Sequence, residues 1–309
     1  MIAFSQASFS QINSDKIWNK STLDTNAQSG SFILKVLSYN VKGLPWPAAK
    51  NTKKRMKKIG KQLAFLRSQG KAPHIVLLQE AIQSDSKLRE RANYPIQYEG
   101  PDTSTPGHRE NDRKFTTYKS GLWILSELPL SDAVNISYPT GACSGWDCMA
   151  NKGWQHIKVH IPGLDVPIEL FNTHMQAHVK RQAEIDARKI QILAVTDYLN
   201  TNLNGSEPVI FAGDFNLKPN RAGYPLFVKE SGLINVGNLC INSDSCQKGS
   251  KSSESDIYAR SNDHHFYRSG IRVKIEPIYI DRSFGRYYED GKNLSDHDGY
   301  EVHYLVSWD

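Results

Sequence analysis

The chain has 309 residues, 39% of them hydrophobic and 23% charged, with a formal net charge of +6 and a pI near 9.0. This is the composition of an ordinary globular protein, which excludes a fibrous or low-complexity chain; no apolar run is long enough to span a bilayer as a helix, and the length suffices to bury a core without cross-links. The basic balance favours an anionic partner, whether nucleic acid, acidic membrane or phosphorylated small molecule, without choosing among them.

Residues 1–30 read as a polar leader, and Met1 to Gln6 lack the basic head and sustained apolar stretch of an intact secretory signal. The run Phe32 to Tyr39 predicts a strand that ends at Asn40. Beyond Trp46, which stands between Pro45 and Pro47, Thr52 is expected to cap a helix. Its Met56, Ile59, Leu63 and Leu66 recur at helical spacing until Gly70 and Pro73 stop it. Much of the excess charge sits in Lys53-Lys54-Arg55 with Lys57-Lys58, read as the solvated face of that helix. A second strand, Ile75 to Gln79, leads to Glu80, and residues 101–117 form a polar loop. Lys152-Gly153 precedes a segment in which Ile157, Val159 and Ile161 alternate, as in a strand with one buried face. The strand Ile168 to Thr173 ends at His174. A helix from about Lys180 to Leu199 follows, with Ala183, Ala187, Ile190 and Leu193 as its apolar stripe, and the strand Val209 to Gly213 ends at Asp214 and Asn216. Residues 241–256 are a polar loop, and Val302, Tyr304 and Val306 alternate near the end. Strand, helix, strand alternation indicates an α/β layer protein, and two sheets packed face to face with helices outside would hold both kinds of strand.

The four cysteines form two local pairs, Cys143 with Cys148 and Cys240 with Cys246, each in a polar loop. Disulfides there imply an oxidising compartment, secreted or periplasmic; four free thiols would fit a cytoplasmic enzyme. Neither spacing matches a zinc site.

Several apolar strands thus end in a residue able to bind a metal or move a proton. Strand ends are rigid points on a sheet edge, so Asn40, Glu80, His174, Asp214, Asn216, Asp263, Asp296 and His297 are expected to converge on one cleft. Hydrolysis of a phosphate ester needs an activated water, neutralised phosphoryl charge and help for the leaving oxygen. Glu80, a carboxylate ending a buried strand, is the leading candidate ligand for a divalent metal, since such a group is costly unless paired. Asp214 and Asn216, two apart at a strand end, are expected to point to one side and hold a metal or a phosphate. Lys152 offers a point charge to an anionic oxygen, and Gly153 allows close backbone approach. Trp46 is placed either over a choline headgroup or lipid surface, or folded back on the rim.

These ordered motifs, from about Leu34 to about Val306, resemble the endonuclease/exonuclease/phosphatase superfamily. Asn40 with Gly43-Leu44-Pro45, Leu78-Gln79-Glu80 and Asn151-Lys152-Gly153-Trp154 are most similar to its sphingomyelinase branch. The resemblance implies a four-layer α/β/β/α sandwich, and the motifs, spread almost end to end and required to meet in one site, make residues 31–309 one catalytic domain, expected to be a monomer. It also implies Mg²⁺, with Mn²⁺ as the alternative, held by Glu80 beside Asn40. Asp214 and Asn216 share the metal and phosphate environment, which Asp296 completes. His297 becomes the base, oriented by Asp263, and His174 the phosphate-binding and leaving-group histidine. Family members usually carry Asp-Tyr-Ile or Asp-Arg-Ile where this chain has Asp263-His264-His265, so Ile280-Asp281-Arg282 is a rival, only fifteen residues before Asp296. Bacterial sphingomyelinases place an apolar hairpin before the final Ser-Asp-His; here Phe284, Tyr287 and Tyr288 stand among charges, which argues against deep membrane insertion. The expected substrate is an anionic phosphodiester, foremost a phospholipid. A nuclease, a phosphoinositide phosphatase and a catalytically silent binding module are the alternatives.

Overall fold

A computed structural model of the chain describes residues 29–105, 117–178, 180–249, 255–284 and 294–309. The expected leader up to residue 28, parts of both polar loops, and Tyr287 and Tyr288 lie outside the described residues. The elements are β1 (Gly30–Asn40), α1 (Thr52–Ser68), β2 (Ile75–Gln79), α2 (Asp85–Ala92), β3 (Ile96–Glu99), β4 (Trp123–Ser126) and β5 (Leu130–Ser137). They continue with β6 (Gly153–Val159), β7 (Ile168–His174), α3 (Gln182–Asn202), β8 (Val209–Asp214), α4 (Gly223–Ser231), β9 (Ile234–Asn235) and α5 (Val236–Ile241). The last are β10 (Gln247–Lys248), β11 (Asp263–Arg268), β12 (Val273–Ser283) and β13 (Gly299–Trp308). One mixed sheet of seven strands runs β10-β12-β13-β1-β2-β4-β3, and a second of six runs β5-β6-β7-β8-β11-β9.

Side-chain alternation on the strands divides the apolar residues among three layers. Leu34 and Val36 of β1 and Ile75 and Leu77 of β2 face Leu170 and Ile210 of the other sheet. Their neighbours Leu37, Tyr39, Val76 and Leu78 pack outward against Met56, Ile59 and Leu63 of α1 and Leu88 of α2. Phe171 and Phe211 do the same on the far side against Ile192, Val195 and Leu199 of α3 and Phe227 of α4. Two sheets packed between helices give the expected α/β/β/α sandwich. Sheets covered on both faces explain why the central strands are apolar almost throughout.

The elements depart from the sequence reading in five places. Asp296 and His297, read as a strand end, lie in a bend ahead of β13. Asn51, in the left-handed region at φ 56°, is the N-cap of α1, while the Thr52 hydroxyl donates to the Leu44 carbonyl. Strand β6 is buried on both faces instead of alternating, because β5 and β7 flank it and the helix layer covers it. Residues Gln247 and Lys248, read as loop, pair in parallel with β12. The buried face of α3 is Glu184, Ala187, Arg188, Gln191, Ile192, Val195 and Leu199, whereas Ala183, Ile190 and Leu193 face solvent. The helix is rotated because its polar residues have inward partners, described below.

Both cysteine pairs are disulfides, Cys143–Cys148 and Cys240–Cys246. The second is not a surface staple: Cys240 and Cys246 are buried in the layer between the sheets. Non-reducing peptide mapping should recover these two cross-links and no others. Replacing Cys240 and Cys246 together by alanine should lower stability by about 2 kcal/mol from loop-closure entropy alone, read from the denaturant midpoint; an unchanged midpoint would show that the second bridge contributes nothing.

Candidate active site

Register places the chemistry. In the first sheet β1 and β2 run parallel with Asn40 opposite Gln79, so Asn40 and Glu80 leave the sheet at the same edge. In the second, His174 pairs with Asp214 across the parallel β7 and β8, and Asp263 pairs with Asp214 across the antiparallel β11. Ends of five strands therefore meet on one line. The Asn40 side-chain amide donates to Asp214 Oδ2 at 3.0 Å and so joins the two sheets at the cleft floor. Beneath it lies a buried polar layer: Gln79 donates to Asn172 at 2.8 Å and to Ser38 at 3.2 Å, and Asn172 donates to Gln155 at 3.0 Å.

The backbone is bent to present these groups. Glu80 lies one residue past β2 at φ 54°, and Lys42 and Asn216 adopt φ 48° and 52°. Left-handed conformations are uncommon for residues other than glycine, and their clustering at one edge is the kind of local strain that functional sites hold. Gly43 is needed here because a Cβ on it would come within 2.4 Å of the Glu80 carbonyl. Gly153 serves a neighbouring strand and not a ligand: its missing Cβ would lie 2.0 Å from the Ile136 carbonyl of β5.

Asp214 Oδ2 sits between two imidazoles, 3.8 Å from His297 Nε2 and 3.6 Å from His174 Nε2. His297 Nδ1 faces the Asp263 carboxylate at 2.9 and 3.1 Å. Asp281 is elsewhere, on β12, where it accepts from the Tyr279 hydroxyl and the Arg282 amide. His174 Nε2 is 3.9 Å from Glu80 and 3.2 Å from the ammonium of Lys152. Lys152 is no surface lysine: it is 3% exposed and donates to the Met175 carbonyl at 2.9 Å, while Asp147 lies 3.0 Å away. Asn216 does not share a strand face with Asp214 as period two would require. Its backbone N–H donates to Asp214 Oδ1 and its amide to the Met175 carbonyl, so it braces the strand ends from beyond β8. Asp296 is on the rim, half exposed and bonded to Lys42 Nζ at 2.6 Å. Trp46 stands out from the rim.

Three contributors escaped the sequence reading. Arg55, taken as part of a solvated face, turns inward and donates to the carbonyls of Val41, Lys42 and Leu294, tying β1 to the segment that carries His297. Asp147 sits inside the first disulfide loop and also accepts from the Ala177 amide. The buried polar face of α3 holds the same region: Gln191 accepts from the Gln176 amide, and Arg188 donates to the Gln176 carbonyl. An acid inside a loop closed by Cys143 and Cys148, five residues before Lys152, was the available signal for Asp147; the other two have none in the sequence alone.

The electrostatics are unbalanced in a consistent way. Burial, then repulsion from Asp263, pushes Asp214 up to about 7. Burial likewise raises Glu80, against the Asn40 hydrogen bond and the charge of Lys152. For His297 burial disfavours the proton, but Asp263 and Asp214 outweigh it and raise the group to about 11. Asp263 is held below the usual carboxylate range despite its burial, by the charge and hydrogen bond of His297. Burial, with Lys152 and His297, drives His174 well below the ordinary histidine value. Asp214, Asp263 and His297 offer ligand atoms within 4.8 Å of one another. The Asp263 carboxylate is already engaged by His297, which leaves the partly buried Glu80 and the buried Asp214 as oxygen donors short of positive charge. A hard divalent cation fits that deficit.

In the metal-free protein His297 should stay protonated well above neutral pH. Its folded value, about 11, exceeds the unfolded value of about 6.5, so its stabilising contribution is complete below the latter and is lost as pH rises through the former. A histidine-selective NMR titration should show this; a midpoint near the ordinary value would contradict the ion pair.

Comparison with known proteins agrees with the geometry. By fold the chain is similar to a mutant of beta toxin from Staphylococcus aureus with bound magnesium ions, at TM-score 0.66 and 18% identity over 88% of this chain and 99% of that one. It is similar to sphingomyelinase C from Streptomyces griseocarneus at TM-score 0.65 and 20% identity, over 88% and 99% of the two chains. It is also similar to D. rerio TDP2 complexed with a single-strand DNA product, at TM-score 0.61 and 20% identity, over 88% and 98%. No curated protein matches it in sequence. The model of the Endonuclease/Exonuclease/phosphatase family matches residues 37–297, a span that holds the cleft from Asn40 to His297, and the chain belongs to this family of phosphoric ester hydrolases.

Proposed function

We propose that the cleft hydrolyses a phosphodiester by metal-assisted attack of water, and that the substrate is a phospholipid headgroup ester of the sphingomyelin type. The observation that carries the substrate reading is a cavity of about 460 Å³ walled by Leu44, Pro45, Trp46, Ile82, Trp146 and Met149, with Glu80, Lys152 and His174 at its base. An apolar wall above a charged floor suits a substrate with both an acyl and a phosphate part. Glu80 and Asp214, with Asn40 beside them, would hold Mg²⁺ or Mn²⁺; such an ion supplies phosphoryl charge neutralisation and a more acidic water. With that cation's charge beside it, His297 would give up the proton it carries in the metal-free protein and, fixed through Nδ1 by Asp263, would take the proton of the attacking water at Nε2. Lys152 and His174 face the phosphoryl oxygen and the leaving oxygen, and Asp147 holds Lys152 in place. Trp46 covers a quaternary ammonium at the mouth. Residues 31–309 act as one monomeric catalytic domain, and the two disulfides favour an extracellular or periplasmic setting. The net charge of +6 favours the second reading, a nuclease.

Activity should vanish in excess EDTA and return with Mg²⁺ or Mn²⁺; full turnover after chelation and dialysis would sink the metal-assisted mechanism. His297→Ala should lower turnover by a factor on the order of 10²–10⁴, with Asp263→Asn moving the same way by less and Asp281→Asn silent. If Asp281→Asn is instead the damaging change, the assignment of Asp263 is wrong. Sphingomyelin vesicles, plasmid DNA and a phosphoinositide offered side by side should show phosphocholine release as the dominant reaction. Plasmid nicking without phosphocholine release would replace the lipid reading by the nuclease.

A further inference from the structure

Two indoles stand nearly free of the protein around the cleft mouth. Trp46 is 78% exposed and Trp146 is 87% exposed, although tryptophan is highly buried on average. Both line the cavity that reaches Glu80, Lys152 and His174. Trp46 also walls a second depression of about 710 Å³, whose border carries Lys50, Lys53, Lys54 and Lys57. Aromatic and cationic groups are thus contiguous at the entrance to the site.

Among the described residues the side chains of these four lysines make no hydrogen bond, although the Lys50 carbonyl accepts from Arg55. The first turn of α1 has no acidic residue, although the helix dipole favours negative charge there and disfavours Lys53 and Lys54. Lys53 and Lys57 are four apart, a like-charge spacing that weakens a helix. Lys42, Lys119, Lys152 and Lys158 each meet a carboxylate. Among the described residues Lys50, Lys53, Lys54 and Lys57 form no ion pair. Arg55, the one arginine of this stretch, is turned inward onto backbone carbonyls. A local electrostatic cost with no internal compensation points to an external anion.

We propose that this face docks on an anionic lipid bilayer, with Trp46 and Trp146 at headgroup depth, Lys50 and the α1 lysines Lys53, Lys54 and Lys57 against acidic headgroups, and the cleft mouth between them. Indole is suited to the boundary between headgroups and acyl chains, and lysines near an acidic leaflet each add to binding. Nucleic acid fits less well: Arg55, the one arginine among the lysines, is turned inward, and both indoles border an apolar pocket. The proposal deepens the lipid reading and rests on it for its purpose, since docking brings the scissile headgroup to the site.

The test separates binding from hydrolysis. Co-sedimentation of the His297→Ala protein with vesicles of phosphatidylcholine, with and without phosphatidylserine, should show binding that needs phosphatidylserine and is released by salt. Lys50→Gln, Lys53→Gln and Lys54→Gln together should weaken it on the order of 100-fold, and Trp146→Ala should weaken it further. The same triple change in the otherwise native protein should leave hydrolysis of the soluble ester bis(4-nitrophenyl) phosphate unaltered. Vesicle binding that is indifferent to the triple change would overturn the proposal. So would absence of vesicle binding together with a single-stranded oligonucleotide bound through the same lysines. A protein that docks on the anionic vesicles but releases no phosphocholine from sphingomyelin would overturn the substrate reading and leave the docking surface standing.

Discussion

Asp214 carries a carboxylate that is 1% exposed, at the point where the edges of two sheets meet. A charge in such a place is costly unless it is paired. The surrounding structure can be understood as what holds it there: the Asn40 amide from the other sheet, the Asn216 backbone N–H from the following turn, and an imidazole on either side. These neighbours do not fully offset the cost of burial, to which repulsion from Asp263 and then Glu80 adds, and Asp214 is pushed up to about 7. That residual deficit of positive charge is the physical basis for expecting a cation, and it comes from the fold, since parallel β1–β2 and β7–β8 deliver their ends to one edge.

The site is held as much from behind as from within. His174 emerges from β7 into a segment whose Gln176 is fixed by Gln191 and Arg188 of α3 and by hydrogen bonds to Ser144 in the first disulfide loop. That loop returns Asp147 to Lys152, and Lys152 to His174. Arg55 performs the corresponding task on the other side of the cleft, joining the end of β1 to Leu294, three residues before His297. Histidine placement thus depends on helices whose inward faces are partly polar. A catalytic group is effective only if its supports fix its position to within fractions of an ångström.

The same feature explains what could and could not be read from the sequence. Strand-end chemistry was legible because a polar residue closing an apolar run is a local signal; Asn40, His174 and Asp214 end their strands, Glu80 follows one directly and Asp263 begins one. The layered fold was legible through strand and helix alternation together with the family resemblance. The orientation of α3 was not, because apolar Ile190 and Leu193 suggest one buried face, while the helix buries Glu184, Arg188 and Gln191 for their hydrogen bonds. Arg55 was lost in a run of lysines for the same reason: only the tertiary fold shows which member of a charged run turns inward. The period-two argument for Asn216 failed because β8 ends at Asp214 and the chain turns through φ 52° at Asn216.

The unmet negative charge at the junction of the sheets is proposed to be a divalent-cation site made by Glu80 and Asp214. Anomalous diffraction from crystals grown with Mn²⁺ tests it most directly. A single strong peak is expected within coordination distance of the Glu80 carboxylate, in the space it shares with Asp214 and Asn40, and no such peak in Glu80→Gln crystals. A peak bound only at the rim by Asp296, or no peak at saturating Mn²⁺, would contradict it.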